Sequence, residues 1–209
     1  MTALEGLDEV RWGGLTHAFG AADDVPRFLR MLTEDGGSRA AAFAELHQTI
    51  WHQGTTYEAT APAVPFLARL AVSDDSLLPE LLYLLGCVAD GRPYEYPRPQ
   101  DDPRTAEQRD REAAWVAAGR EAVRRELPAL VRAVRAHLVR PVVAGFCRVA
   151  YAFPEERPLL IDALNEAFGA DDVTPLDQAA VVIALLRGGA DESWGEIVLL
   201  DVLADALAS

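Results

Sequence analysis

The chain has 209 residues, half of them apolar, and a formal charge of -14 from 33 acids against 19 basic residues, every one an arginine. This is ample material for one folded unit, and so acidic a chain repels a nucleic-acid duplex unless one face is locally basic, so nucleic acid is an unsuited partner. No apolar run approaches the ~18 residues that cross a bilayer, and Met1 to Val10 lacks the cation-flanked apolar segment of a secretion signal, which predicts a cytoplasmic protein with no membrane partner.

Lysine is absent and Asn165 is the one asparagine, a composition that reflects GC-rich codons more than function. The arginines are unevenly placed: residues 92 to 140 hold 11 of them against 8 acids, between two acidic ends.

In chain order, Asp23-Asp24-Val25-Pro26 reads as a cap followed by a helix-opening proline, because proline lacks only an N–H that the first turn leaves unpaired. That first helix is expected to reach about Glu34. Ser38 then caps a second, whose buried stripe is Ala40, Phe43, Ala44, Leu46, His47 and Ile50 and which ends near His52, with Gly54 as its C-terminal turn residue. Thr60 and Pro62 open a third helix through Phe66, Leu67 and Leu70. Ser76 to Ala89 forms a fourth, apolar all round and therefore interior.

Gly91 to Pro103 holds four prolines in 13 residues and cannot be regular helix, so 91–104 reads as a proline-rich insertion, exposed and open to proteases. Helical pattern resumes from Thr105 to Leu138, with Pro128 kinking or dividing it, and continues in Val142 to Phe153, Glu156 to Phe168 and Pro175 to Arg187. Ser193-Trp194 is expected to cap a last amphipathic helix running nearly to Ser209, which closes the fold.

Pro26, Pro65, Pro128 and Pro158, each before an apolar run, are separated by 39, 63 and 30 residues. The first and last bracket the period of two-helix repeats, and the proline-rich insertion lengthens the second. The chain is therefore read as all-α, a single domain over residues 1–209: a short right-handed α-solenoid of HEAT-like helix pairs with a terminal capping helix and no sheet. Phe28, Leu29, Phe66, Leu67, Leu130, Leu160 and Ile183 are its predicted core. Residues 18 to 26 and 167 to 175 share Ala-Phe-Gly-Ala, Asp-Asp-Val and Pro, and are expected to form the same helix-turn-helix junction. Cys87 and Cys147 lie within apolar helical patterns and read as small core residues.

The stretch from Trp12 and His17 through Ala-Phe-Gly-Ala-Ala-Asp-Asp-Val-Pro26, followed by His52-Gln-Gly-Thr-Thr-Tyr-Glu-Ala-Thr-Ala-Pro-Ala-Val-Pro-Phe-Leu67, resembles a family of bacterial HEAT-repeat proteins common in actinobacteria. The resemblance covers residues 10 to 90. It implies an α-solenoid with an interaction role and brings no catalytic residue.

Residues 51 to 58 pack two aromatics, an imidazole, an amide and a carboxylate between two repeats. Loops that protrude from a stack tolerate such polarity, so Trp51, His52, Gln53, Tyr57 and Glu58, with His17, are candidates for partner binding. The bland alternative is that they bond loop backbone and staple adjacent repeats. His47 and His52 are about 500° apart round a helix and do not form the facing pair of a zinc helix, so no metal is assigned. Arg120, Arg124, Arg132 and Arg135 could share one helix side as an anion-binding stripe, although nearby acids pair much of that charge. His137 reads as a helix C-terminal dipole partner. The acidic pairs before helices read as caps, and no nucleotide loop, nucleophile elbow or cofactor fingerprint occurs.

The sequence therefore points first to a cytoplasmic scaffold or adaptor that grips a basic protein, as an immunity or regulatory protein would, with no cofactor. The alternative is a helical-repeat enzyme acting on a small metabolite or nucleobase in a pocket near His52 to Glu58.

Overall fold

Proline opens five of the eight helices found among the described residues, at Pro26, Pro79, Pro141, Pro158 and Pro175. The computed structural model describes residues 2–34, 36–96, 102–171 and 173–187. Its helices are α1 (Val25–Met31), α2 (Gly37–Thr49), α3 (Thr60–Ser73), α4 (Leu78–Ala89), α5 (Ala106–Ala136), α6 (Arg140–Ala152), α7 (Arg157–Phe168) and α8 (Pro175–Arg187). The fold is mostly helical, and no described helix is long and apolar enough to cross a membrane.

The packing alternates. α3 lies on α5 and α5 on α7, while α4 lies on α6 and α6 on α8; α3 with α4 and α7 with α8 join the two layers, and α1 packs on α2 at the N-terminal side. α4 and α6 cross tightly, because glycine removes the obstacle on both sides. A Cβ on Gly145 would stand 2.7 Å from the Pro79 carbonyl, and one on Gly86 would run into the Arg148 side chain. Leu78, Leu81, Leu82 and Leu85 of α4 are buried against Val142, Val143, Phe146 and Val149 of α6, each large apolar side chain contributing roughly 1.5 to 3 kcal/mol relative to exposure. Cys87 and Cys147 are free and buried there.

Several expectations are corrected. Two minimal antiparallel hairpins interrupt the helices: β1 (Thr16–His17) with β2 (Gly20–Ala21), and β3 (Trp51–His52) with β4 (Thr55–Thr56). Pro65 and Pro128 lie inside α3 and α5 rather than opening helices, and α5 runs unbroken past Pro128, so the proline spacing does not mark a repeat. α2 stops at Thr49, and its buried face is Ala42, Leu46 and Thr49, with Ala40 and Ala44 in solvent. Ile183 is 46% exposed, unlike the other predicted core residues. Phe19-Gly20 lies in a hairpin that leads into α1, whereas Phe168-Gly169 is the end of α7, so the shared letters do not make a shared junction. The expected closing helix after Ser193 lies outside the described residues.

One element positions the functional surface. α5 begins with a capping box, in which the Thr105 hydroxyl accepts from the Gln108 N–H at 3.2 Å and the Gln108 amide oxygen accepts from the Thr105 N–H at 2.7 Å. Its 31 residues span about 46 Å. From Ala106 to Ala118 no residue is fully buried, and Glu112, Trp115 and Val116 are its half-buried positions; Gly119 is the first to enter the core. This overhang passes the second hairpin, with α5 contacting β4.

Candidate functional site

The second hairpin turns on Gln53 (φ 51°) and Gly54 (φ 87°), both left-handed, the backbone that a two-residue type I′ turn requires. Gly54 is thus a hairpin residue and not the terminator of α2. A buried clasp closes the hairpin: the Thr60 hydroxyl donates to the Ile50 carbonyl at 2.5 Å and accepts from the Tyr57 N–H at 2.9 Å.

The first hairpin is sewn to the second. The Ala59 N–H donates to the Thr16 carbonyl and the Ala18 N–H to the Thr49 carbonyl, each at 3.0 Å. The Thr16 hydroxyl donates to Glu58 Oε2 at 3.2 Å, and the Phe19 ring meets the His52 ring edge-on with centroids 5.2 Å apart. His17 is 7% exposed. Its Nδ1 accepts from the Phe19 N–H at 3.0 Å, which leaves the ring proton on Nε2, 3.0 Å from Asp24 Oδ1. Asp24 is therefore committed to His17 and makes no side-chain cap on α1, contrary to the capping expectation.

Beside the second hairpin lies a cleft of about 360 Å³, walled by His52, Gln53, Tyr57, Tyr94, Tyr96 and Trp115 with Thr55, Thr56, Arg104 and Glu112. A neighbouring cleft of about 380 Å³ shares Arg104, Glu112 and Trp115 and adds Thr16, Glu58, Gln108 and Arg111. The wall between hairpin and helix comes from Tyr94, Tyr96 and Arg104, in the described parts of the 91–104 segment. Its start is pinned where the Arg92 N–H donates to the Gly54 carbonyl at 2.8 Å.

Arg104 organises this wall. Its guanidinium donates to Asp102 at 2.8 and 3.0 Å and to the Tyr94 carbonyl at 2.7 Å, pairs with Glu112 of α5, and lies 5.1 Å from the Tyr96 ring centroid. Tyr94 and Tyr96 meet edge-to-face at 5.0 Å. The hydrogen bonds from Arg104 hold the Asp102 carboxyl down at about 2. The Tyr57 phenol is raised above its ordinary range, first by burial and then by the Glu112 carboxylate. The Oγ1 atoms of Thr55 and Thr56 are buried without a hydrogen-bond partner. The described parts of the proline-rich segment are thus docked on α5 and the hairpin, and not the loose insertion their composition suggests.

The structure brings His52, Gln53 and Tyr57 into one cleft and Glu58 into its neighbour. His17 is buried and lines neither cleft, and Trp51 packs its ring 4.8 Å from His47 with a buried, unpartnered Nε1. His52 Nδ1 is 3.2 Å from the Gln48 side-chain oxygen. Sequence reasoning missed Tyr94, Tyr96, Arg104, Glu112 and Trp115; the aromatic pair inside a proline-rich run was the available signal.

The arginine stripe is corrected in part. Arg120 pairs with Glu155 at 2.6 Å over the Phe153 ring, Arg124 with Glu121 and Glu156 at 2.7 and 2.8 Å, and Arg135 with Glu166 at 3.4 Å. Arg132 is exposed. Three of the four cations are already neutralised by the chain's own acids, which leaves little field for an external anion. His137 at the α5 terminus faces Asp75 at 3.0 Å. Among the described residues no group of three or more His, Cys, Asp or Glu is placed to hold a metal ion.

Comparison of the chain with protein families, with curated proteins and with solved structures returns no match.

Proposed function

We propose that the chain is a short HEAT-like α-solenoid of the bacterial family it resembles, acting in the cytoplasm as a binding scaffold that seats a basic partner protein on its hairpin edge. The alternating packing of odd and even helices supports the solenoid reading. The aromatic cleft carries the functional one. Tyr57, Tyr94, Tyr96 and Trp115 are each half-buried around one opening, and such residues dominate the energetics of protein interfaces because they contribute large apolar area at low entropic cost. The formal charge of -14 favours encounter with a basic surface.

The test is capture of the partner from the native cytoplasm, followed by titration of the purified pair. Trp115→Ala and Tyr96→Ala should each weaken the complex at least tenfold, roughly 1.4 kcal/mol or more, with the fold intact by circular dichroism. A partner that binds both variants as tightly as the wild type sinks the hairpin edge as the working surface. A second reading, an enzyme for a small metabolite, is favoured by the volume of the same cleft, which lies in the range of small-molecule sites. Native mass spectrometry separates the two: a bound metabolite with no protein partner supports the enzyme.

A further inference from the structure

We propose that the face built by α4, α6 and α8 carries a second site, one that takes a small molecule with a single carboxylate on a flat apolar body. The cavity there has a volume of about 410 Å³, within the range of small-molecule sites, and shares no lining residue with the hairpin cleft. Small side chains make the space: Ala144 on α6 and Ala180 and Ala184 on α8 leave the gap between Tyr83, Tyr151 and Ile183 unfilled. Tyr83 and Ile183 are 47% and 46% exposed, so flat apolar surface is presented to an incoming group rather than consumed by the core. The Tyr83 ring also stacks on His47, with centroids 6.1 Å apart and 13° between the planes.

The charge selects the ligand. Two guanidiniums, Arg92 and Arg148, line the cavity against one carboxylate, Asp90. Arg148 meets Asp90 only loosely, at 3.6 Å, and its Nε is buried with no hydrogen-bond partner. Its stem packs directly against Gly86, where a Cβ would collide with it, and its head also contacts the Cys87 thiol. No acid among the described residues pairs with the Arg92 side chain. The thiols and the Tyr83 phenol are held in their neutral forms: burial pushes Cys147 up to about 12 and raises Cys87, and Cys87 together with burial holds Tyr83 up. One surplus positive charge in a chain of net -14 suits a monoanion better than a phosphate dianion, and the planar fork of arginine matches a carboxylate.

The experiment uses the full chain, with indole-3-acetate as probe and the uncharged indole-3-acetamide as its isostere, followed by isothermal titration and saturation-transfer NMR. The acid should bind at least about tenfold tighter than the amide, and Arg148→Met, which keeps the stem over Gly86, should abolish that preference. Arg92→Gln, at an exposed position, should reduce it and serves if the first variant does not fold. Equal affinity for acid and amide, no detectable binding of the acid at millimolar concentration, or a preference that survives both substitutions overturns the proposal.

Discussion

The two hairpins have nearly the same local plan and opposite fates. Each is a pair of two-residue strands around a two-residue turn, carries a histidine in its first strand, and feeds a helix containing Val-Pro, at Val25-Pro26 and Val64-Pro65. In the first, His17 is buried and both ring nitrogens are engaged. In the second, His52 is half-exposed at a cleft, and Trp51, Thr55 and Thr56 keep buried polar atoms without partners. One hairpin spends its polar groups on the fold; the other leaves them beside an opening. The difference comes from what passes alongside: the second hairpin has the α5 overhang and Tyr94, Tyr96 and Arg104 as neighbours, and the first has the second hairpin.

The largest effect should come from exchanging the two histidines' fates. His17→Ala strands the Asp24 carboxylate and the Phe19 N–H and empties a buried site, and is expected to cost about 2 kcal/mol. His52→Ala combined with Glu58→Ala touches contacts at the exposed edge, and each change should stay within ~0.5 kcal/mol while weakening the partner. Chemical denaturation of the variants beside the wild type checks both. Equal losses would mean that the second hairpin is as structural as the first.

A comparable effect at a single glycine separates the turns. Gly20 (φ 130°) sits where a side chain is strongly disfavoured, whereas Gly54 (φ 87°) is nearer the left-handed region that other residues visit. Gly20→Ala is expected to cost about 1 to 3 kcal/mol and Gly54→Ala about 1. Melting temperatures in the reverse order would show that the second turn is the more constrained.

The unequal legibility of the molecule follows from the same contrast. Helices announced themselves through caps and apolar spacing, and α3, α6, α7 and α8 lie within a few residues of their predicted bounds. Two-residue strands carry too little periodicity to register, so Trp51 and His52 read as a helix end running into a loop even though Gln53-Gly54 is turn chemistry. The α2 stripe went wrong because alanine spacing says little about which face is covered. His52, Gln53, Tyr57 and Glu58 were legible as an unusual cluster. Trp115 and Arg104 were not, because their role depends on α5 running past the core, a tertiary fact that propensity does not encode.

The least drastic change concerns the Asp102–Arg104 latch in the wall of the hairpin cleft. Asp102 has a folded-state pKa of about 2 against an ordinary 3.8, set first by its hydrogen bonds from Arg104. A depressed acid stabilises the folded arrangement above its unfolded value and loses that contribution as pH falls, so the latch is complete above 3.8 and weakens as pH falls from there toward 2. The near-ultraviolet dichroism of the Tyr94–Tyr96 pair should fade in that window while the far-ultraviolet helical signal persists. At neutral pH the corresponding change is Asp102→Asn, which removes the charge from the same contact. Trypsin should then cut after Arg104 faster than in the wild type, where that side chain is 12% exposed and held by Asp102, Glu112 and the Tyr94 carbonyl. Cleavage at an unchanged rate would mean that Glu112 and the Tyr94 carbonyl hold Arg104 without Asp102, and the cleft wall would then be insensitive to acid in this range.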